Sequence, residues 1–242
     1  MKTKLSLLIL IVSVLVVSLV SCESDGYSLG DQYVSIATVD ASENGEANSF
    51  TLDGGTTLFV AASGTNYKPS NPRVLINYTI LGDNYGGYDH AIKLNYYMQD
   101  ILTKPTVYVA PDDKEGQDKL GYDKVKITTM FARAGYITIE YGINVGGQDS
   151  HFINLARLSE DLKQNGDEPI KLEFRHNKGK DEENHGSGLM FVCFSIDDFV
   201  KANEGLKELK FEVSWEEYSG EKKTMELKYA LPETEVVPEP RK

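Results

Sequence analysis

The residues able to do chemistry in this chain are few, and their spacing decides what they do. Asp181, Glu182 and Glu183 lie between His176 and His185, the one place where acids and imidazoles crowd together. A hard cation needs several oxygens converging on one point, and zinc needs a tighter set of histidine or cysteine ligands. The segment Asn177–Ser187 has neither EF-hand spacing nor an HExxH pattern, and His90 and His151 stand apart from it. It reads as a solvated hairpin loop whose charges face water, so no metal is expected. Gly186-Ser187-Gly188 lacks the first glycine of a GxSxG elbow and the α/β setting that elbow requires. Cys193, within Met190-Phe191-Val192-Cys193-Phe194, has no basic neighbour to activate it and reads as a small core residue. Asp197-Asp198 and Glu216-Glu217 are adjacent pairs; on a strand, neighbours point to opposite faces and build no carboxylate dyad. No glycine-rich phosphate loop is present. The expectation is a protein that is not an enzyme and carries no cofactor.

Binding is the remaining class. Tyr85, Tyr88, Tyr96 and Tyr97 surround one predicted hairpin, and exposed rings there would stack on a sugar or meet a protein. Packed into a sheet wall with only their hydroxyls in water, the same tyrosines would be structural. Exposed, coplanar rings at Tyr85, Tyr88 and Tyr97 would favour a glycan; a large exposed apolar patch would favour a protein partner. A nucleic acid is not expected. Between Tyr33 and Ala110, Lys68, Arg73, Lys93 and Lys104 face seven acids, a net charge of −3, and a polyanion needs a basic groove.

The N-terminus supplies an address. Lys2 and Lys4 precede an apolar run from Leu5 to Val20, sixteen residues broken only by serines. As a helix it would span roughly 24 Å, short of a bilayer core of about 30 Å, and so reads as a signal h-region. It ends in Leu19-Val20-Ser21-Cys22, which resembles the bacterial lipobox. Residues 1–21 are therefore expected to be a cleaved signal peptide, and Cys22 the acylated first residue of a cell-envelope lipoprotein. Several acyl chains at about 0.8 kcal/mol per buried methylene hold such a protein on the membrane. Cleavage leaves 23 basic and 37 acidic residues, a net charge of −14. The expected location is the outer membrane. Glu23 and Asp25 partly match the acidic residues behind the cysteine of surface-exported lipoproteins, although Ser24 and Gly26 interrupt them.

The elements that would position these residues are all strands. Residues 22–32 read as a flexible lipidated tether. Strand-like runs follow at Tyr33–Val39, Phe50–Leu52, Thr57–Ala62, Arg73–Leu81, Ala91–Leu102 and Val107–Ala110, separated by turn chemistry such as Asp53-Gly54-Gly55 and Asn84-Tyr85-Gly86-Gly87. They predict a small OB-like barrel over residues 33–110. Asp112, Asp113, Glu115, Asp118 and Asp123 mark residues 111–123 as an acidic linker. Seven further strands, starting at Lys124, Tyr136, Phe152, Ile170, Leu189, Glu208 and Lys223, predict a β-sandwich over residues 124–231. Only Leu155–Gln164 and Asp197–Gly205 carry helical spacing, and the three prolines of residues 232–242 predict a disordered tail. The fold class is all-β.

With the lipobox cysteine, Leu29-Gly30-Asp31-Gln32-Tyr33-Val34-Ser35-Ile36-Ala37-Thr38-Val39 and Phe50-Thr51-Leu52-Asp53-Gly54-Gly55-Thr56-Thr57-Leu58 resemble the NigD-like lipoproteins of Bacteroidetes-type bacteria. Leu172-Glu173-Phe174-Arg175-His176-Asn177 and the Phe191–Ile196 strand extend the likeness. The resemblance implies an OB-like domain followed by a β-sandwich across essentially the whole mature chain. It supplies no catalytic residues. The family name is tied to a bacteriocin gene with a proposed immunity role, which implies an interaction protein; a glycan ligand on the tyrosine-rich face is the alternative.

Overall fold

The computed structural model describes residues 27–41 and 45–231; the signal segment, Cys22 and the tail after residue 231 lie outside the described residues. The first body comprises β1 (Tyr33–Ala41), β2 (Ala47–Leu52), β3 (Thr57–Ser63), β4 (Arg73–Tyr85) and β5 (Tyr88–Pro105). Four antiparallel pairings join them, and a parallel pairing of β3 with β5 closes the five into a barrel. Alternation along β4 turns Val74, Ile76, Tyr78 and Ile80 inward, where they meet Ala37, Phe50, Leu58 and Ile92. The β4–β5 hairpin turns on Gly86 and Gly87, whose φ values of 59° and 93° suit the two-residue turn that follows strand twist. The chain is also ordered before β1: the Tyr27 hydroxyl donates to Asp83 at 2.8 Å, so the last part of the expected tether rests on the barrel.

The second body is a sandwich. One of its sheets is formed by the end of β5 with β11 (Gly186–Ser195), β8 (Tyr136–Val145) and β7 (Lys126–Arg133). The facing sheet runs β13 (Lys222–Ala230), β12 (Glu208–Glu216), β10 (Ile170–Asn177), β9 (Phe152–Arg157) and β6 (Val107–Tyr108). Ile137, Ile139, Val192 and Phe194 of the first sheet pack on Leu155, Leu172, Phe174 and Phe211 of the second. A short helix, α2 (Asp197–Ala202), seats Phe199 edge-on to Phe211. Cys193 is buried on the face of β11 opposite Val192 and Phe194, 3.4 Å from the Thr138 hydroxyl; the sequence marks no basic neighbour, but Arg73 of the barrel lies against it, and burial nonetheless pushes its pKa up. The chain is thus mostly β, a five-stranded OB-like barrel and then a β-sandwich.

Two segments differ from the sequence expectation. Leu155–Gln164 is the end of β9 followed by turns, because Ile153 and Leu155 point into the sandwich core with strand alternation. Residues 111–123, where the acids predict an open linker, contain α1 (Lys114–Leu120). Asp113 caps it by accepting the Gly116 N–H at 3.0 Å. The helix has no apolar stripe. It is held by β10, whose buried Arg175 bonds the Gln117 carboxamide and the Gly121 carbonyl and lies 3.8 Å over the Tyr122 ring. The Asn177 amide adds a bond to the Lys119 carbonyl at 2.9 Å. Gly121 has φ +74° and lies against the His176 carbonyl, where a side chain would collide.

Candidate functional site

The structure separates the four predicted tyrosines into three environments. Tyr85 and Tyr88 flank the hairpin turn and both rest on Phe59 of β3. Tyr85 stacks at 4.9 Å and 25°, and Tyr88 tilts at 5.5 Å and 44°. Tyr85 is 52% exposed and Tyr88 half-buried. Tyr96 points outward. Tyr97, its neighbour, turns toward the barrel interior and meets Phe50 edge-on. The cause is an irregularity in the β4–β5 ladder: Leu94 pairs with Tyr78 and Tyr96 with Asn77, leaving Asn95 as an extra residue that shifts the inward set. Tyr85, Tyr88 and Tyr97 do not share one plane. Burial pushes the Tyr97 hydroxyl up to about 12.

Acids around the hairpin are occupied within the fold. Asp89 accepts both the N–H and the hydroxyl of Thr57, which holds its carboxyl low. Asp83 accepts from Tyr27 and meets His90 Nδ1 at 2.6 Å, contacts that lower its pKa as well.

A concave site opens where Tyr97 reaches the surface. It is a cleft of about 330 Å³ with Val60 and Leu94 at its apolar side, Asn48, Ser63 and Asn66 around it, and Tyr67 standing against Tyr97. The two rings are 5.4 Å apart and 62° inclined, and Tyr67 is 50% exposed. The loop carrying Tyr67 is built around Asp100. That carboxylate accepts the Tyr67 hydroxyl and the Ser70 N–H at 2.7 Å each, and both the N–H and the side-chain amide of Asn71. These bonds outweigh its desolvation and lower its pKa. At the other end of the loop the Gly64 N–H donates to the Leu94 carbonyl at 2.7 Å. Any side chain at Gly64 would meet the Asn95 carbonyl, so the loop lies directly on β5. Tyr67 carried no signal in the sequence; it sits in a proline- and asparagine-rich turn with no periodicity to mark it.

In the sandwich, the charged loop after β10 is tied inward. Asp181 is buried, accepts the Gly146 N–H at 2.7 Å, and lies 2.6 Å from His151 Nε2. His151 Nδ1 is 2.8 Å from His176 Nε2, and His176 Nδ1 is 3.1 Å from the Lys124 carbonyl. A carbonyl only accepts, so His176 carries its proton on Nδ1, and a neutral His176 leaves Nε2 as the acceptor facing His151. The backbone N–H groups on Asp181 hold its carboxyl far below the ordinary range, and burial lowers the His176 pKa. The expectation that this loop's charges simply face water therefore fails at Asp181. The sequence distance between His151 and His176 hid their contact. Among the described residues, no group of three or more histidines, cysteines and acids is arranged to hold a metal, and no helix is long and apolar enough to cross a membrane.

An OB-like barrel with a polar–aromatic cleft, continuous with a sandwich in which Arg175, His151, His176 and Asp181 clamp segments together, defines a class of two-module β-proteins. The chain belongs to the NigD-like family: its N-terminal OB domain matches over residues 36–101 and its C-terminal β-sandwich domain over residues 108–229. The second match takes in the acidic segment and α1. Among solved structures, the chain is similar to a candidate toxin-related protein from Parabacteroides distasonis. The two are 30% identical with a TM-score of 0.68, covering 83% of this chain and 94% of that one. It shares its fold with a NigD-like immunity protein from Bacteroides caccae, at 21% identity, TM-score 0.63 and coverage of 85% and 99%. The same holds for a candidate lipoprotein from Bacteroides fragilis, at 15% identity, TM-score 0.57 and coverage of 84% and 100%. No curated protein matches the chain.

Proposed function

We propose that this is a non-catalytic binding protein, anchored to the cell envelope through lipid on Cys22 and acting through contacts made by its barrel. The observation that carries the reading is where the reactive side chains are spent. Arg175, His151, His176 and Asp181 are consumed in bonds that fasten one segment of the sandwich to another. The barrel, by contrast, presents a preorganised cleft with rings and amides turned to solvent. A folded body on a short lipidated leader suits the interception of an incoming molecule at the outer membrane, in keeping with the immunity role named for one structural relative. A protein toxin is the partner this reading expects.

Two measurements test it. Metabolic labelling with a fatty-acid analogue should mark the wild type and not Cys22→Ser; equal labelling rejects the anchor. Challenge by a bacteriocin-producing neighbour should then spare cells carrying the wild type and kill those carrying Cys22→Ser. Equal killing of both rejects the immunity role.

A further inference from the structure

We propose that the cleft between Tyr67 and Tyr97 is a saccharide-binding site, sized for one or two neutral sugar rings. This rests on the binding-protein reading and extends it by a site and a ligand class. A volume of about 330 Å³ falls at the small end of ligand sites, which lie at roughly 300–1,000 Å³. Its chemistry is mixed in the way a sugar is mixed. A pyranose has one face of C–H groups and a rim of hydroxyls that both donate and accept. Tyr67 offers a half-exposed ring for the C–H face, buttressed edge-on by Tyr97. Asn48 and Asn66 offer carboxamides, each able to donate and accept, and among the described residues neither side chain has a hydrogen-bond partner. The Ser63 hydroxyl, which donates to the Thr65 carbonyl at 2.7 Å, and the Glu46 carboxylate, paired with Lys68, stand on the same rim.

Preorganisation distinguishes this site from an incidental groove. Asp100 fixes the Tyr67 hydroxyl and two backbone N–H groups of the same loop, so little ordering remains to be done when a ligand arrives. The cleft also lacks what the ligand class an OB-like barrel first brings to mind would need: its lining contains no lysine or arginine, and the Lys68 beside it is paired with Glu46 at 3.7 Å, so no basic groove awaits a phosphodiester. The wider depression on the sandwich, about 710 Å³, offers less, because its Arg157 is already bonded to the Ser159 and Glu160 carbonyls.

The test is calorimetric titration of the lipidated full-length protein, held in a polyoxyethylene detergent free of sugar headgroups, with cellobiose, maltose, mannobiose and chitobiose in turn. At least one disaccharide should bind. Tyr67→Ala should weaken that binding about tenfold or more, while Tyr67→Phe, which keeps the ring, should lose only a few-fold. Asn66→Ala, at an exposed position, should weaken it without moving the thermal midpoint. Tyr85→Ala, on the outer wall, should leave it unchanged. Absence of binding to all four sugars overturns the proposal, as does binding that survives Tyr67→Ala or is lost in Tyr85→Ala. Survival of bacteriocin challenge without sugar binding would sink this inference alone; sugar binding without protection would sink the immunity role alone.

Discussion

At the scale of single residues, the same side-chain types serve opposite ends depending on what surrounds them. His176 is a buried imidazole facing Lys124 O, His151, Asp123 and Glu183, and desolvation, its largest influence, keeps it neutral below its ordinary range. As pH falls, the unfolded chain takes up this proton first, at about 6.5, while the folded chain resists. The stability carried by the neutral ring is therefore complete above that pH and is lost as pH falls toward the folded value. Asp181 acts with the same sign at lower pH: its contribution is present above the unfolded carboxylate pKa of about 3.9 and is lost below it. We expect the thermal midpoint to decline as pH falls below about 6.5, with a second decline below about 3.9. His176→Gln should have a lower midpoint at neutral pH but a flatter upper slope. A wild-type midpoint that stays level across the upper window would contradict a buried neutral His176. The tyrosines make a parallel case. Tyr85 rests half-exposed on Phe59, so Tyr85→Ala should move the midpoint little, whereas Tyr97→Ala removes a ring packed against Phe50 and should cost more.

Elements were legible from sequence where one physical rule determined them. The inward set Val74, Ile76, Tyr78 and Ile80 is a period-two pattern, and the Gly86-Gly87 turn announces its own geometry, so the strands and their order into barrel and sandwich could be read. The helix α1 could not. Its only buried residue is Gln117, and what holds it is Arg175, distant in sequence and itself inside a strand pattern. The sequence grouped Tyr97 with the rings of the hairpin, but one extra residue in the ladder, Asn95, reverses the alternation and turns it toward the barrel interior. Tyr67, which the proposed cleft adds, could not be read from its turn because Asp100, which positions it, lies on another element. The clamp on α1 is testable. Arg175→Ala takes a buried guanidinium from Gln117 and from Glu173, which keeps Lys222 at 2.7 Å, so the loss should fall short of the about 3–5 kcal/mol that an uncompensated buried charge costs. Limited proteolysis should cut between residues 111 and 123 in Arg175→Ala well before it does so in the wild type. Equally fast cutting there in both proteins would mean that the helix is not held by this contact.

For the whole molecule, the question is whether two hydrophobic cores make two independent units. The barrel and sandwich clusters are separate, yet β5 belongs to both: its first part closes the barrel against β3, and its last four residues pair with β11. Where the strand passes between them, the Gln99 carboxamide bonds both the N–H and the carbonyl of Phe191, taking the place of a strand neighbour. Beside it Arg73, fully buried, pairs with Asp53, donates to Thr38 at 2.8 Å, and lies 5.0 Å over the ring of Tyr136 from the sandwich. A guanidinium with no water contact ties a barrel turn to a sandwich strand, and breaking such a buried pair costs about 3–5 kcal/mol. The wild type should therefore unfold in a single calorimetric transition. Arg73→Met, which fills much of the same space but abandons Asp53, Tyr136 and Cys193, should lower the barrel's transition and split it from the sandwich's, whose core cluster holds neither of those two sandwich residues. Two transitions already present in the wild type would show that β5 passes between the cores without coupling them, and the barrel with its cleft would then be free to unfold around a sandwich that stays intact.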